Sequence, residues 1–244
     1  MQERDINAYV DVYTVHSFED IMVKFRRQKV LEIMHKYQPK KILEVGCGLD
    51  SIFNYYKKFE KAVIVEPAKE FYNKAVSSCT NNIYIYNEFI ENCIDKISNE
   101  NFDFILVSSL LHEVLEPYNF LSALVKLMKQ ETIMHINVPN AESFHLLWAV
   151  ESGLLNKIGT LTETSKSLQQ NTTFTLSSLC QFVEKLGFSV EEKGSYFMKP
   201  FNHAKMQQCM TNGLIDENLL LGLYSLSKYF PENGAEIYVN CRIK

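Results

Sequence analysis

Apolar residues recur at two different spacings along the chain, and the spacing separates helices from strands. Between residues 18 and 37 they return every three or four positions, as on one face of a helix, and Pro39 ends this segment. Short and almost continuously apolar runs follow, which are typical of strands buried on both faces of a parallel sheet. The sequence predicts five such strands: KKILEVG (40–46), KAVIVEP (61–67), NIYIYN (82–87), FDFILVSS (102–109) and ETIMHINVP (131–139).

Helical segments alternate with these strands, which indicates the crossover connections of a doubly wound α/β sheet. EPYNFLSALVKLMKQ (116–130) predicts the helix that leads into the fifth strand. FTLSSLCQFVEKLGF (174–188) predicts a later helix with Thr175 as its N-cap and Gly187 as its terminator. Two late strands and a helix between them complete the prediction: SVEEKGSYFM (189–198), GAEIYVNCRIK (234–244) and residues near 216–230.

The regular alternation stops at Asn140, directly after the fifth predicted strand. Residues 140–172 have a helical first half and a second half rich in Ser, Thr and Gln. Ligands of open α/β sheets bind at the carboxyl ends of the strands, so an insertion there is well placed to cover a substrate. We therefore predict one domain over residues 1–244, with 140–172 as a substrate cap. Residues 1–38 are predicted to form an N-terminal lid and helix, with Tyr13 as a substrate contact.

The composition narrows the function without identifying it. The formal net charge of -4 and the pI near 5.9 argue against broad binding to a nucleic-acid backbone. The cysteines are scattered and include no Cys-x-x-Cys pair, so we expect reduced thiols and no metal site. No apolar run approaches the roughly 20 residues of a membrane span, and no targeting segment is recognisable. We expect a cytoplasmic protein that acts on a small molecule and binds neither nucleic acid nor membrane.

The first predicted strand ends in two glycines separated by one residue, Gly46-Cys47-Gly48. Glycine lets a ligand approach the backbone closely, and we expect the N-terminus of a helix to follow the turn. Glu44 stands just before the glycines, where a carboxylate would oppose a pyrophosphate but could hold a cationic group. Glu66 ends the second strand about 20 residues after Gly46, the usual distance to an acid that binds ribose hydroxyls.

These residues resemble the motifs of the class I S-adenosylmethionine-dependent methyltransferases, and the resemblance covers about residues 20–244. Residues 44–48 match the family's acid-x-Gly-x-Gly turn, and Glu66 matches its ribose-binding acid. The resemblance implies a Rossmann-like fold whose seven-stranded sheet is mostly parallel and has an antiparallel last strand. It also implies S-adenosylmethionine as the cofactor and S-adenosylhomocysteine as the product.

The family pattern also implies further contacts to the cofactor. Residues 87–89 would lie by the adenine, and Ser108 and Ser109 would lie beneath the methionine part. Many members have a third glycine where this chain has Asp50. Arg26 or Arg27 is a candidate for the cofactor's carboxylate, with a solvated helix face as the alternative. The predicted cofactor-binding residues are Glu44, Gly46, Cys47, Gly48, Asp50, Glu66, Pro67, Glu88, Phe89, Ser108, Ser109 and Arg26.

Two other functions stay open at this point. A nicotinamide-dependent oxidoreductase would also use a glycine turn with Glu66, although Ser51 stands where its fingerprint has glycine. Tyr224 and Lys228 have the spacing of a short-chain dehydrogenase pair, but they fall too late in the chain and fit an amphipathic helix. The second alternative is a non-catalytic scaffold that binds S-adenosylmethionine.

The candidate acceptor site lies after the fourth and fifth strands. His112 is a predicted catalytic base or a structural residue, and Glu113 beside it is a predicted substrate contact. VPNAESFH (138–145) resembles a stretch in methyltransferases of bacterial surface-polysaccharide and small-metabolite pathways. It suggests His145 as a catalytic residue and Asn140 as a substrate contact, with helix capping as the alternative for Asn140. We expect methylation of a hydroxyl of a sugar or sugar-nucleotide, slightly ahead of an amine.

Overall fold

One seven-stranded sheet forms the centre of the computed structural model, which describes residues 18–161 and 170–244. The strands are β1 Lys41–Val45, β2 Lys61–Val65, β3 Ile83–Tyr86, β4 Phe104–Ser108, β5 Ile133–Pro139, β6 Phe188–Tyr196 and β7 Glu236–Ile243. Their spatial order is β3-β2-β1-β4-β5-β7-β6. Strands β1 to β5 pair in parallel, whereas β7 runs antiparallel to both β5 and β6. The predicted strands, the doubly wound class and the antiparallel last strand are confirmed.

Helices connect the strands on both faces of the sheet. They are α1 Glu19–Tyr37, α2 Lys69–Ser77, α3 Ile90–Ile97, α4 Pro117–Val125, α5 Phe144–Glu151, α6 Leu176–Lys185, α7 His203–Thr211 and α8 Glu217–Leu226. The hydrophobic spacing located α1, α4, α6 and α8, and it placed a helix where α5 lies. The short helices α2, α3 and α7 were not located individually.

The ends of α6 follow the local sequence as predicted. The side chain of Thr175 accepts a hydrogen bond from the backbone N–H of Ser178 (3.1 Å), and the Ser178 hydroxyl accepts one from the Thr175 N–H (2.9 Å). Gly187 follows the last turn with φ 88°, a conformation that glycine adopts without a steric penalty. Both the N-cap and the terminator are therefore confirmed.

Alternate residues of the central strands supply two separate hydrophobic cores. Ile42 of β1 packs in the core beneath α1, whereas its neighbour Leu43 packs in the core beneath α3, α4 and α6. In the first core the ring of Phe25 stacks on those of Phe197 and Tyr224, at centroid distances of 4.4 and 5.2 Å. This packing holds α1 across one face of the sheet.

The segment after the glycine turn differs from the prediction. A short 3-10 helix, Ile52–Asn54, follows in place of the expected α-helix N-terminus. Ser51 caps it by accepting a hydrogen bond from the N–H of Phe53 (3.3 Å), and Glu44 accepts one from the N–H of Ile52 (3.0 Å). Side chains therefore take the backbone N–H groups that a helix N-terminus would offer to a ligand, and the expectation of such a site was wrong.

The predicted cap begins with helix α5. Its second half includes residues 162–169, which lie outside the described residues, as do residues 1–17 of the predicted lid with Tyr13. Residues 171–174 return to the sheet edge, where the Ala141 N–H donates to the carbonyl of Phe174 (2.8 Å). Within the described chain, every helix is too short or too polar to traverse a lipid bilayer.

Candidate active site

A cavity of about 1030 Å³ opens at the carboxyl ends of β1, β2 and β4. We call it the main cavity. Its walls are the inner side of α1, the glycine turn after β1, the segments after β2 and β3, and part of the segment between Ser108 and Phe120. This is the edge where open α/β sheets bind their ligands, because the connections diverge there.

The glycine turn requires glycine for its backbone conformation. Gly46 has φ 74° and Gly48 has φ 57°, values that side-chain-bearing residues rarely adopt. A Cβ built on Gly48 would meet no atom within 4 Å, so the turn is open on that side. The N–H of Gly46 donates to the carbonyl of Val65 (2.9 Å), which fixes the turn against the end of β2.

Glu66 bridges the two loops that border the cavity. One carboxylate oxygen accepts the N–H of Ala68 (2.8 Å), and the other accepts the N–H of Gly48 (3.2 Å). Burial raises the pKa of Glu66, although these backbone hydrogen bonds act in the opposite direction. A carboxylate has about four acceptor positions, so Glu66 keeps capacity for ligand hydroxyls.

Glu44 is buried below the turn and lines the same cavity. Its oxygens accept hydrogen bonds from the Ser51 hydroxyl (2.5 Å) and the Ile52 N–H (3.0 Å). Burial raises the pKa of Glu44 to about 7, against the opposing effect of these hydrogen bonds. Glu44 therefore holds the loop after the turn by hydrogen bonds and also contributes a carboxyl group to the cavity.

Two neighbouring arginines of α1 line the cavity and have different partners. The Arg26 guanidinium binds Glu236, with Nη2 to Oε1 at 2.5 Å, and lies 3.4 Å from Glu19. Arg27 donates from Nη1 to Asp50 at 3.0 Å. Asp50, the residue at the family's third glycine position, therefore joins the loop after the turn to α1.

A buried polar chain supports the end of β4. Ser109 has φ 53°, and its N–H donates to the amide oxygen of Asn137 (2.9 Å). The Asn137 amide nitrogen lies 3.0 Å from Nε2 of His135, whose Nδ1 lies 2.6 Å from the amide oxygen of Asn240. Burial lowers the pKa of His135 to about 4, so the ring is neutral, with its proton on Nδ1 and Nε2 as acceptor. His135 is therefore a core histidine whose two ring nitrogens both have hydrogen-bond partners.

Most of the predicted cofactor-binding residues come together in the main cavity. Glu88 is the exception, because its carboxylate turns to Lys96, with Oε1 2.5 Å from Nζ. Its neighbour Asn87 braces the turn after β2 by donating to the carbonyls of Glu66 and Pro67, both at 2.9 Å. The predicted residues that line the main cavity are Arg26, Glu44, Gly46, Cys47, Gly48, Asp50, Glu66, Pro67, Phe89, Ser108, Ser109 and Glu113.

The predicted catalytic histidines lie elsewhere. His112 is buried and, with Asn140, lines a separate cavity of about 50 Å³ beneath the cap. The Asn140 amide donates to the carbonyls of Glu232 (2.8 Å) and Gly234 (2.9 Å), so it braces the entry to β7. His145 lies 3.0 Å from the Ser143 hydroxyl, and burial lowers its pKa well below the usual value. Among the described residues, the lining of the main cavity includes no histidine.

Several cavity residues were missed from the sequence. Asp20 and Val23 come from α1, and Leu115, Glu116 and Asn119 come from the segment after β4. They belong to no short motif, and only the packing of α1 and α4 beside the strand ends brings them together. The one available signal was their position just before or just after a predicted strand end.

The glycine turn, the bridging Glu66 and the strand order together define a nucleoside-binding α/β enzyme. The methyltransferase-domain family matches residues 21–193, and the chain belongs to this family. It is a class I methyltransferase, whose cofactor is S-adenosylmethionine and whose product is S-adenosylhomocysteine. No curated protein matches the sequence.

Solved structures share the fold at low sequence identity. A SAM-dependent methyltransferase from Archaeoglobus fulgidus has 14% identity and a TM-score of 0.56, over 92% of this chain and 99% of that one. One from Aquifex aeolicus has 16% identity and a TM-score of 0.54, over 89% of each chain. The plantazolicin methyltransferase BamL, in complex with a triazolic desmethylPZN analog and SAH, has 15% identity and a TM-score of 0.52, over 99% of this chain and 86% of that one.

Proposed function

We propose that the protein methylates a small molecule in the main cavity, on a hydroxyl or amine of a sugar, a sugar-nucleotide or a related metabolite. The size of the cavity carries this proposal. Ligand pockets commonly measure roughly 300–1,000 Å³, and this one measures about 1030 Å³. It has room for an acceptor beside the cofactor, and the wall formed by α1 and the segment after β4 would contact that acceptor.

The cofactor, when bound, supplies a methyl group on a sulfonium, whose displacement leaves a neutral thioether. The chain's residues then need to bind and align the two reactants, and a base is needed only for a hydroxyl or a protonated amine. Glu113 is the carboxylate best placed for that role, because it is buried, lines the cavity and follows the end of β4. In the same proposal, His112, His145 and Asn140 keep the cap in place rather than contacting the acceptor.

The charges of the residues that line the cavity favour some acceptors over others. Carboxylates outnumber basic groups in its lining, and both Arg26 and Arg27 are paired with carboxylates. Such a lining repels phosphates, which supports a partner other than nucleic acid. Within the proposed range, a neutral or amine-bearing acceptor fits better than a sugar-nucleotide. The carboxylates that line the cavity are Glu19, Asp20, Glu44, Asp50, Glu66, Glu70, Glu91, Glu113 and Glu116.

The single domain with a cap over residues 140–172 and a lid in residues 1–38 is part of the same proposal. The support is the backbone of Asn171 and Thr172, whose N–H groups donate to the carbonyl of His112 (2.9 and 3.1 Å). The end of the predicted cap is therefore tied to the loop that carries Glu113 into the cavity. Its location in the cytoplasm stays a prediction.

Binding and turnover separate the proposed function from its alternatives. Calorimetry should detect binding of S-adenosylhomocysteine and no binding of NADH. Methyl transfer should then appear with some members of a panel of neutral sugars, amines and sugar-nucleotides. Tight binding of NADH alone would support an oxidoreductase instead. Cofactor binding without transfer to any acceptor would favour a scaffold.

A further inference from the structure

Lys199 is a buried lysine at the same edge of the sheet as the main cavity. Tyr196, the last residue of β6, and Pro139, the last residue of β5, both lie opposite Glu236 of β7. Lys199 comes three residues after Tyr196, so it lies just beyond the carboxyl end of β5. It is only 4% exposed, and lysine is almost never buried to this degree unless its charge is paired.

The ammonium group of Lys199 is not paired in this way. Within residues 18–161 and 170–244, no oxygen atom accepts a hydrogen bond from it or forms an ion pair with it. Burial lowers the pKa of Lys199 to about 8, and the charges of Glu19 and Glu236 oppose this effect. The group therefore stays mainly charged at neutral pH. A buried charge without a bonded partner is costly, so Lys199 is suited to bind an anionic group of a ligand.

Two other basic side chains near Lys199 do not offer a positive charge to a ligand. Arg26 is held by Glu236, with Nη2 2.5 Å from Oε1. Burial, together with the charges of Lys199 and His203, lowers the pKa of His145 well below its usual value, so its ring is neutral. Neither Arg26 nor His145 therefore supplies a positive charge here, whereas the Lys199 ammonium does.

The position of Lys199 relates it to the acceptor rather than to the cofactor. The glycine turn and Glu66 follow β1 and β2, and β4, β5 and β7 separate these strands from β6. Glu19 connects the two regions, because it lines the main cavity and its charge also acts on Lys199. A ligand group that passes Glu19 towards Lys199 therefore belongs to the molecule bound on the β5 side of the cofactor.

We propose that Lys199 binds a carboxylate of the acceptor, at the end remote from the hydroxyl or amine that receives the methyl group. The acceptor is then an amino acid, a sugar acid or a related monocarboxylate. Glu19 and Glu236 beside the ammonium repel a dianion, so a single carboxylate fits better than a phosphate. This inference rests on the proposed function and narrows its acceptor class.

Trp148, the single tryptophan of the chain, reports on this region. It lies about one turn after His145 on α5, and its ring centroid is 5.5 Å from that of Phe201, two residues after Lys199. Its fluorescence is titrated in the full chain saturated with S-adenosylhomocysteine. The ligands form two pairs that differ by one carboxylate: D-glucuronate with D-glucose, and 4-aminobutyrate with butylamine.

In the unaltered protein, at least one acid should bind roughly tenfold or more tightly than its neutral or amine partner. Lys199→Gln should remove this preference, whereas Lys199→Arg should keep much of it because the positive charge remains. Both variants should bind S-adenosylhomocysteine as tightly as the unaltered protein, since Lys199 is absent from the lining of the main cavity. The acid that binds more tightly distinguishes a sugar acid from an amino acid.

Lys193→Gln is the matched control, because Lys193 lies on β6, loses the same charge and is exposed. It should keep the preference for the acid. The inference is overturned if neither acid binds the unaltered protein, if each acid binds no better than its partner, or if the preference survives in Lys199→Gln. The first two outcomes need no variant, so they decide even if Lys199→Gln fails to fold. If the unaltered protein does not bind S-adenosylhomocysteine, the proposed function fails instead.

Discussion

Ser109 and Asn137 are joined by a hydrogen bond from the Ser109 N–H to the Asn137 amide oxygen, 2.9 Å long. Ser109 has φ 53°, a conformation that costs free energy for any residue with a side chain. The Asn137 amide nitrogen donates in turn to Nε2 of His135 and to the hydroxyl of Ser108, both at 3.0 Å. Asn137 thus holds the strained end of β4 at the wall of the main cavity.

Asn137→Ala should lower the free energy of unfolding by about 2 kcal/mol, because it leaves the buried Nε2 of His135 without its donor and removes one of the two acceptors of the Ser109 N–H. The other acceptor, the backbone carbonyl of residue 137 at 3.0 Å, is kept. The variant should also weaken the binding of S-adenosylhomocysteine, since the end of β4 at the cavity wall can then relax. Urea denaturation and calorimetry measure the two effects. Asn92→Ala, at an exposed position of α3, is the control and should change stability by less than about 0.5 kcal/mol. Equal stability of the two variants would contradict the supporting role of Asn137.

Arg26→Met should lower the free energy of unfolding by about 3 kcal/mol, because it leaves Glu236 buried without its cation. The double variant Arg26→Met/Glu236→Gln should regain part of that loss, since the buried negative charge is then gone. A double-mutant cycle from urea denaturation measures the coupling between the two side chains. A coupling close to zero would mean that the pair does not anchor α1 to β7.

The stability of the protein should depend on pH through Glu44. Burial raises the pKa of Glu44 in the folded state to about 7, above its usual value of 4.5. The folded state therefore binds the proton more tightly, and the contribution of Glu44 to stability falls as the pH rises from about 4.5 to 7. The change amounts to about 3 kcal/mol at most.

Glu44→Gln isolates this contribution from those of other carboxyl groups. Between pH 4.5 and 7.5, the unaltered protein should lose stability relative to Glu44→Gln. Glu60→Gln, at an exposed site outside the cavity, should instead follow the unaltered protein. Urea denaturation at four or five pH values gives these differences. If the stability of all three proteins changed with pH in the same way, the raised pKa of Glu44 would be ruled out.

His112 and His145 test whether a histidine predicted from its residue type is catalytic although it lies outside the main cavity. The sequence suggested that His112 and His145 act in catalysis, but neither lines the main cavity. We expect His112→Ala and His145→Ala to lower the free energy of unfolding by about 1–3 kcal/mol through lost packing. Turnover per folded molecule should stay near normal in His145→Ala. His112→Ala should lower it only through Glu113, because Nε2 of His112 lies 3.7 Å from Oε1 of Glu113. Normal stability with a large loss of turnover would restore the catalytic interpretation.

The sheet could be predicted from the sequence because its strands are short apolar runs that end in Gly, Pro or polar residues. The helices α2 and α3 could not be located in the same way. In α2 only Phe71 and Ala75 are buried, and in α3 the apolar stripe spans just eight residues. Segments of this length carry too few periodic positions to be distinguished from loops without their packing partners.

The two halves of the site differed in how far they could be predicted. The contacts proposed for the nucleoside come from residues next to strand ends, such as Gly46, Gly48 and Glu66, so their spacing in the chain reports their position in space. The proposed acceptor wall depends on how α1 and α4 pack. Glu88 was also predicted from its position, but its carboxylate pairs with Lys96 and lies outside the lining of the main cavity. Side-chain direction is decided by partners that the local sequence does not identify.

Glu66→Ala should weaken S-adenosylhomocysteine by about 1–3 kcal/mol if the carboxylate binds the ribose hydroxyls. The structure adds that Glu66 also holds the N–H groups of Gly48 and Ala68, so the alanine variant should lower the melting temperature as well. Glu66→Gln keeps an acceptor oxygen, so its ligand affinity and its melting temperature should both fall less than those of Glu66→Ala. Glu60→Gln serves as the exposed control. An unchanged affinity in Glu66→Ala, with a lower melting temperature, would limit Glu66 to bracing the glycine turn.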